Sequence, residues 1–276
     1  MDLSTIVGIL AGLAVIVAGI GGGSIQHFIH VPSLFIVVGG TFMALIASYP
    51  ISVLRNVPRH IGIIFKNAWF RHEQCIETLT QFSQEARKNG ILELEKKAED
   101  LNDPFLKSAV MMIVDAHDPA EIKDLLNMEL DYMIARHEIE IGLYEKGTVL
   151  APAFGMIGTL IGLINMLMGL DLASGASSAL GENMSVALIT TFYGCVLANL
   201  IFAPLAKKLE IRNEEEYLYK QLIIEGVLAI QAGDNPKFLK EKLYCFLNEK
   251  KTVSINRISG ERKEKRRRFA SGKKAA

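Results

Sequence analysis

The chain holds 276 residues, half of them hydrophobic, and its 30 Lys and Arg balance 30 Asp and Glu. The neutral total hides a partition, because Leu3–Leu54, Gly147–Leu170 and Asn183–Ala206 carry no Asp, Glu, Lys or Arg. Such segregation excludes an ordinary soluble core, in which each element mixes apolar and charged faces. No GxxxxGK[ST], HExxH, GxSxG or CxxC occurs, so ATP-driven transport and enzymatic catalysis have no support.

A helix crosses the roughly 30 Å hydrocarbon core in about 20 residues. The first uncharged stretch is long enough for two crossings and the others for one each, which predicts spans over 3–22, 33–54, 148–170 and 184–206. Only Asp2 precedes the first apolar run, and a second run follows closely, so the first span is expected to be retained rather than cleaved as a signal peptide. The loop Gly21–Pro32 opens with glycines and closes at a proline, as a tight turn should. His27 and His30 fall at its membrane edge, where no metal role is assigned. All the basic residues lie in Arg55–Lys146 or from Lys207 onward. The positive-inside rule then puts both long segments and both termini in the cytoplasm.

The cytoplasmic segment opens with Ile61–Phe70, which is apolar, too short to span and suited to the membrane interface. Asp103-Pro104 and Asp118-Pro119-Ala120-Glu121 read as helix starts, with Asp as N-cap, Pro at the first position and Glu121 closing a capping box. From Ile122 the positions Leu126, Leu130, Met133, His137 and Ile141 form one helix face. Nothing interrupts that face before Gly147, so the helix is expected to run into span three, with His137 packing or tipping to solvent rather than serving as a ligand. Span four similarly extends past Lys207 to about Ile230, and Gly233 ends it. Asn235-Pro236 starts a last amphipathic helix through Phe238, Leu239, Leu243 and Phe246. The stretch Glu261–Lys274 is basic and coreless, and is expected to be disordered. Cys75, Cys195 and Cys245 are too scattered for a disulfide framework and read as free thiols.

This predicts an all-α polytopic membrane protein. Residues 1–54 and 148–206 form the four transmembrane helices, 55–147 and 207–250 the helical cytoplasmic part, and 251–276 a basic tail. That tail either meets anionic lipid or is simply solvated. No feature points to nucleic acid, a cofactor or a metal.

Intramembrane acids usually mark ion relays. These spans contain none, so an ion relay here would need an acid from another chain. Span three carries Gly155, Gly158 and Gly162, and span four carries Thr190, Gly194 and Ala198, at helix spacings. Stripes of small residues let helices approach closely, and their hydroxyls either line a path or bond their own backbone. Close packing is the preferred reading from the stripes alone. Pro152 and Pro204 sit near the cytoplasmic ends of spans three and four, where each makes either a hinge or a static kink. Glu85–Lys97 is a mixed-charge cluster around Gly90, either a solvated helix end or a docking surface.

Ala151–Gly162, Ala187–Gly194 and Phe202–Leu205, together with the whole architecture, resemble the MotA/PomA stator proteins, relatives of ExbB and TolQ. The resemblance implies a ring of five subunits in the bacterial inner membrane around a MotB-type single-span partner. That partner's aspartate would carry H+ or Na+, and the ring would turn the flagellar rotor through FliG. It implies conformational coupling at Pro152 and Pro204, an ion path near Thr159, Thr190 and Thr191, and rotor contact at Arg87 and Glu95. The alternative is an ExbB/TolQ-type energiser of envelope processes, which usually has fewer spans.

Overall fold

The structure is a computed structural model that describes residues 3–21, 25–65, 70–168 and 176–245. In chain order the helices are α1 (Leu3–Ile20), α2 (Val31–Leu34), α3 (Gly40–Ser48), α4 (Ile51–Arg55), α5 (Val57–Phe65), α6 (His72–Asn89), α7 (Leu94–Glu99), α8 (Pro104–Val114), α9 (Pro119–Met168), α10 (Ala176–Val196), α11 (Ala203–Gln231) and α12 (Pro236–Tyr244). Short 3-10 turns cover Ile25–Phe28 and Ile91–Glu93. Two π-helical stretches, Phe35–Gly39 and Leu197–Phe202, join α2 to α3 and α10 to α11. No strand occurs among the described residues. The expected all-α class is therefore observed. The chain divides into two compact units, Met1–Trp69 with Ile134–Glu214 and Phe70–Met133 with Glu215–Ala276.

The first unit is the apolar one. Val31–Ser48, and stretches within Pro119–Met168 and Leu180–Gln231, are long and apolar enough to cross a membrane. The apolar run of α1 is slightly shorter. α1 ends at Gly21, whose φ of +80° is a left-handed cap that glycine adopts freely. Span two was expected to continue to residue 54, but its helix stops at Ser48. Tyr49 is extended (φ −124°, ψ 143°) because the ring of Pro50 disfavours helix in the residue before it. Span four was expected to begin at residue 184, but its helix α10 begins at Ala176, so Glu182 is an exposed residue on its first turns. The core of this unit gathers Val37, Leu45, Ile141, Tyr144, Ala151, Leu197, Phe202 and Leu209. Elsewhere the spans show large apolar side chains outward, among them Val15 at 71%, Phe35 at 74% and Leu167 at 62% exposure. Faces of that kind suit hydrocarbon or a partner helix rather than water.

The second unit is built by local signals. Asp103 caps α8, its Oδ1 accepting from the Phe105 and Leu106 N–H groups at 3.0 and 3.4 Å. Asp118 accepts from the Ala120 N–H at 2.8 Å before α9. The capping box expected from Glu121 does not close. Glu121 is exposed at the edge of a cavity of about 350 Å³ that Met112, His117, Ile122 and Leu125 also line. Ile122, Leu126, Leu130 and Met133 are buried as the periodicity predicts. Gly226 of α11 lies against Leu79 of α6, where an added Cβ would fall 2.6 Å from a leucine methyl. α11 ends at Gln231, and Gly233 just beyond it takes a φ of +73°. Asn235 caps α12, which buries Leu239 and Leu243 against this unit's core. Phe238, expected on the same face, is 59% exposed. Trp69, Phe246 and the basic tail lie outside the described residues.

Candidate functional site

The contact between α9 and α10 is made by backbones. A Cβ added at Gly194 would fall 2.7 Å from the Ala151 carbonyl oxygen, 3.1 Å from Pro152 Cα and 3.2 Å from Gly155 Cα. One at Gly155 would fall 3.1 Å from the Thr190 carbonyl oxygen, and one at Gly162 2.8 Å from that of Asn183. Gly158 holds the side chain of Thr190 in the space its own would fill. Small residues at helix spacing on both partners thus bring the two main chains together, as the stripes predicted.

That approach positions the hydroxyls. Thr159 Oγ1 and Thr191 Oγ1 lie 2.5 Å apart across the contact. Thr159 also lies 3.1 Å from its own Gly155 carbonyl and 3.1 Å from the Ala187 carbonyl of α10. The Ala187 carbonyl faces Thr191 as well, at 3.4 Å. Thr190 does not join this pair. It is fully buried and bonds carbonyls of its own helix, Ala187 at 2.9 Å and Val186 at 3.2 Å. Two of the three threonines singled out from the sequence therefore meet, and the third fills the helix contact. The pair is uncharged and sits in helix segments free of Asp, Glu, Lys and Arg between Gly147 and Met168 and between Asn183 and Ala206.

The prolines are accommodated differently. Pro152 lies inside the unbroken α9, against Gly194. It supplies no N–H, so the Thr148 carbonyl one turn earlier has no helix donor. Pro204 follows the π-helical stretch Leu197–Phe202. A widened turn just before a proline moves the carbonyl at i−4 away from the ring, which removes the usual clash. The Phe202 ring lies on Gly147, where any side chain would overlap it. Pro152 and Pro204 are not brought together: the residue opposite Pro152 is Gly194, about 15 Å along the helix from Pro204.

Three features of this unit escaped the sequence reading. The π stretches have no local signal. Tyr193 on span four donates its hydroxyl to the Phe28 carbonyl and accepts from the His30 N–H at 3.1 Å, tying α10 to the turn ahead of α2. A lone tyrosine in an apolar span needs such a partner, and that is the signal that was available. The third is buried His60. Its Nδ1 is 3.2 Å from the Tyr144 hydroxyl and its Nε2 3.0 Å from Glu140 Oε2, the latter without hydrogen-bond alignment. Asn56 Nδ2 donates to Glu140 Oε1 at 2.8 Å. His137, expected to pack or to reach solvent, is half-buried with its Nδ1 2.8 Å from Asn213 Oδ1.

In the second unit Arg87 occupies the last turn of α6 and Glu95 the first turn of α7, and both are exposed. Gly90, φ +90°, turns the chain between them. Leu94 and Ala98 are fully buried and anchor α7, and Lys97 pairs with Glu85 of α6. Arg87 and Glu95 form no ion pair among the described residues. Cys75 is buried here, and burial pushes its thiol up to about 12 against the opposing effect of a hydrogen bond with Tyr219. No group of three or more His, Cys, Asp or Glu that could hold a metal occurs among the described residues.

Comparison with known proteins gives the same architecture and sequence relationship. A chain from the structure of the flagellar MotAB stator complex from Bacillus subtilis superposes with a TM-score of 0.83 at 28% identity, covering 92% of this chain and 99% of that one. A chain of C. jejuni MotAB gives 0.80 at 27% identity, covering 90% and 97%. Motility protein A of Borreliella burgdorferi is 42% identical over 267 residues, 94% of this chain and 99% of that protein. Chemotaxis protein PomA of Vibrio alginolyticus is 37% identical over 252 residues, 91% and 97%. Residues 97–221 match the MotA/TolQ/ExbB proton channel family. With relatives of this identity aligned over nearly the whole of both chains, this chain belongs to the MotA/TolQ/ExbB proton channel family, alongside its Motility protein A members.

Proposed function

We propose that this chain is the ring-forming stator subunit of a bacterial flagellar motor, converting ion flow into torque. The observation that carries this reading is the near-complete likeness to a chain of a flagellar MotAB stator complex, at a TM-score of 0.83. In this reading the chain is a multi-pass inner-membrane protein with four spans and both termini in the cytoplasm. It assembles as a pentamer around a MotB-type single-span partner whose aspartate carries the ion. No acid lies within the uncharged cores of the spans, which fits an acid supplied in trans. The transported species is H+ or Na+, and no catalytic step or cofactor is involved.

Pro152 and Pro204 act as the coupling positions. Each removes a helix hydrogen bond where α9 and α11 leave the membrane segments, so the helices can bend there at low cost. Thr159 and Thr191, with Thr190 behind them, flank the ion path. Arg87 and Glu95 are the rotor-facing charges that engage FliG. One charge crossing 100 mV releases about 2.3 kcal/mol. That is several times RT, enough to bias a step between near-degenerate ring positions but not to break a large interface. Residues 55–147 and 207–250 form the cytoplasmic part, and the tail over 251–276 lies at the cytoplasmic face.

The test is swimming in a stator-deleted host that expresses this chain with its partner, at fixed pH, with sodium varied and a protonophore added. Motility that tracks sodium and resists the protonophore makes it a sodium stator. Motility that ignores sodium and collapses with the protonophore makes it a proton stator. An assembled complex that supports no motility overturns the stator reading in favour of an ExbB/TolQ-type energiser.

A further inference from the structure

The apolar helix of span two ends at Ser48, and the chain turns at Tyr49–Pro50. Residues 51–65 then run as α4 and α5. The Asn56 carbonyl between them still accepts from the His60 N–H at 3.0 Å, so the two short helices keep their faces nearly in phase. One face is committed: Val53, Leu54 and Val57 pack on the core of the first unit. Buried His60 closes that face against Glu140 and Tyr144, and Asn56 bonds Glu140 as well. These contacts fix the roll of the segment about its axis.

The opposite face therefore cannot turn inward. It carries Ile51, Arg55 and Arg59, spaced by four residues and so stacked along one side of the helix. Ile51 is 85% exposed. Both arginines are exposed, and their side chains form no hydrogen bond or ion pair among the described residues. The nearest acid held by this segment, Glu140, is on the committed face. An apolar side chain left bare beside the end of a membrane helix is covered by hydrocarbon. Arginines one and two turns further along then reach headgroup depth. A guanidinium matches two phosphate oxygens at once, and a net-negative lipid surface adds attraction that a zwitterionic one lacks.

We propose that Arg55 and Arg59 form a binding site for the phosphate of an anionic phospholipid headgroup, with Ile51 set against the acyl chain above it. The site holds the end of span two at a fixed depth. It does not depend on the stator reading, since any membrane protein with this segment would use it the same way.

The test is native mass spectrometry of the full-length chain in the assembly it forms in detergent, titrated with phosphatidylglycerol and separately with phosphatidylcholine. Three variants are compared with the parent: R55Q/R59Q, R55K/R59K, and R266Q/R267Q/R268Q in the basic tail. Phosphatidylglycerol should bind R55Q/R59Q more weakly by about five-fold for each arginine lost. R55K/R59K should keep intermediate affinity, because lysine retains the charge without the fork. The tail variant should bind as the parent does. Unchanged lipid binding in R55Q/R59Q overturns the site, and so does loss of binding only in the tail variant. Competition by inorganic phosphate at the same concentration as lipid would mean a free-anion site. Loss of subunits from R55Q/R59Q with lipid retention intact would mean a protein contact. Either result rejects the proposal.

Discussion

Gly194→Ala probes the closest approach of the two membrane helices. The new Cβ would lie 2.7 Å from the Ala151 carbonyl oxygen and 3.1 Å from Pro152 Cα. Both obstacles are main-chain atoms, so no side-chain rotation relieves the overlap and α9 and α10 must separate. Overpacking of this kind costs about 1–3 kcal/mol. Separation also stretches the Thr159–Thr191 contact of 2.5 Å, an interhelical bond of a class worth about 0.6 kcal/mol in membranes. Alanine returns about 1 kcal/mol through its better helix propensity, leaving a net cost of about 0.5–2.5 kcal/mol. Gly19→Ala is the matched control, because nothing lies within 4 Å of its Cβ position. The purified chain in detergent should melt lower for Gly194→Ala by about 1–10 °C, on the scale of roughly 2–4 °C per kcal/mol for a chain of this size. Gly19→Ala should melt at or above the parent. Swimming in the stator-deleted host should fall for Gly194→Ala alone. Equal melting of the two variants would refute the backbone-contact argument.

Thr159→Val and Thr191→Val should each destabilise by about 0.5–1.5 kcal/mol, and the double variant should cost less than the sum by about 0.6 kcal/mol; strict additivity in a melting cycle would mean the hydroxyls do not pair. Pro204→Ala restores a helix donor toward the Leu200 carbonyl, so it should raise the melting temperature while slowing ion-driven swimming, and unchanged swimming would remove Pro204 from the coupling role. Cys75, with its thiol near 12, should have only about one thiolate in ten thousand at pH 8. Maleimide should therefore label exposed Cys245 in the native protein and reach Cys75 only after denaturation. Arg87→Glu should weaken swimming and recover in part with a compensating charge change on the rotor, and a speed insensitive to charge at both Arg87 and Glu95 would count against that contact.

The features legible in the sequence are those whose cause lies within a turn or two of chain. Asp103, Asp118 and Asn235 act as caps because a short polar side chain reaches the N–H groups just after it. The face from Ile122 to Met133 is read from spacing because a helix repeats every 3.6 residues wherever it packs. Phe238 shows the limit of that rule. It shares the period of Leu239 but is left exposed, because burial depends on what lies opposite. Glu121 shows the same limit: the box pattern is present, but the residue is exposed and makes no bond back to the Asp118 N–H.

The sequence by itself determined that this is a helical membrane chain, where the capped helices of its second unit start, and that the uncharged stretches of its spans hold no Asp, Glu, Lys or Arg. Uncharged length, capping residues and prolines act locally, and no fold can override the cost of a charge in hydrocarbon. Only the tertiary structure decided that Thr159 meets Thr191 while Thr190 fills the space over Gly158, because that depends on the roll and separation of α9 and α10. It alone placed His60 on Glu140 and Tyr144, a contact spanning 84 residues of chain for His60 and Tyr144. It alone widened the helix into π turns over Leu197–Phe202, ahead of Pro204. Which turn of a helix widens is settled by the packing around it, and no residue of that stretch announces the choice.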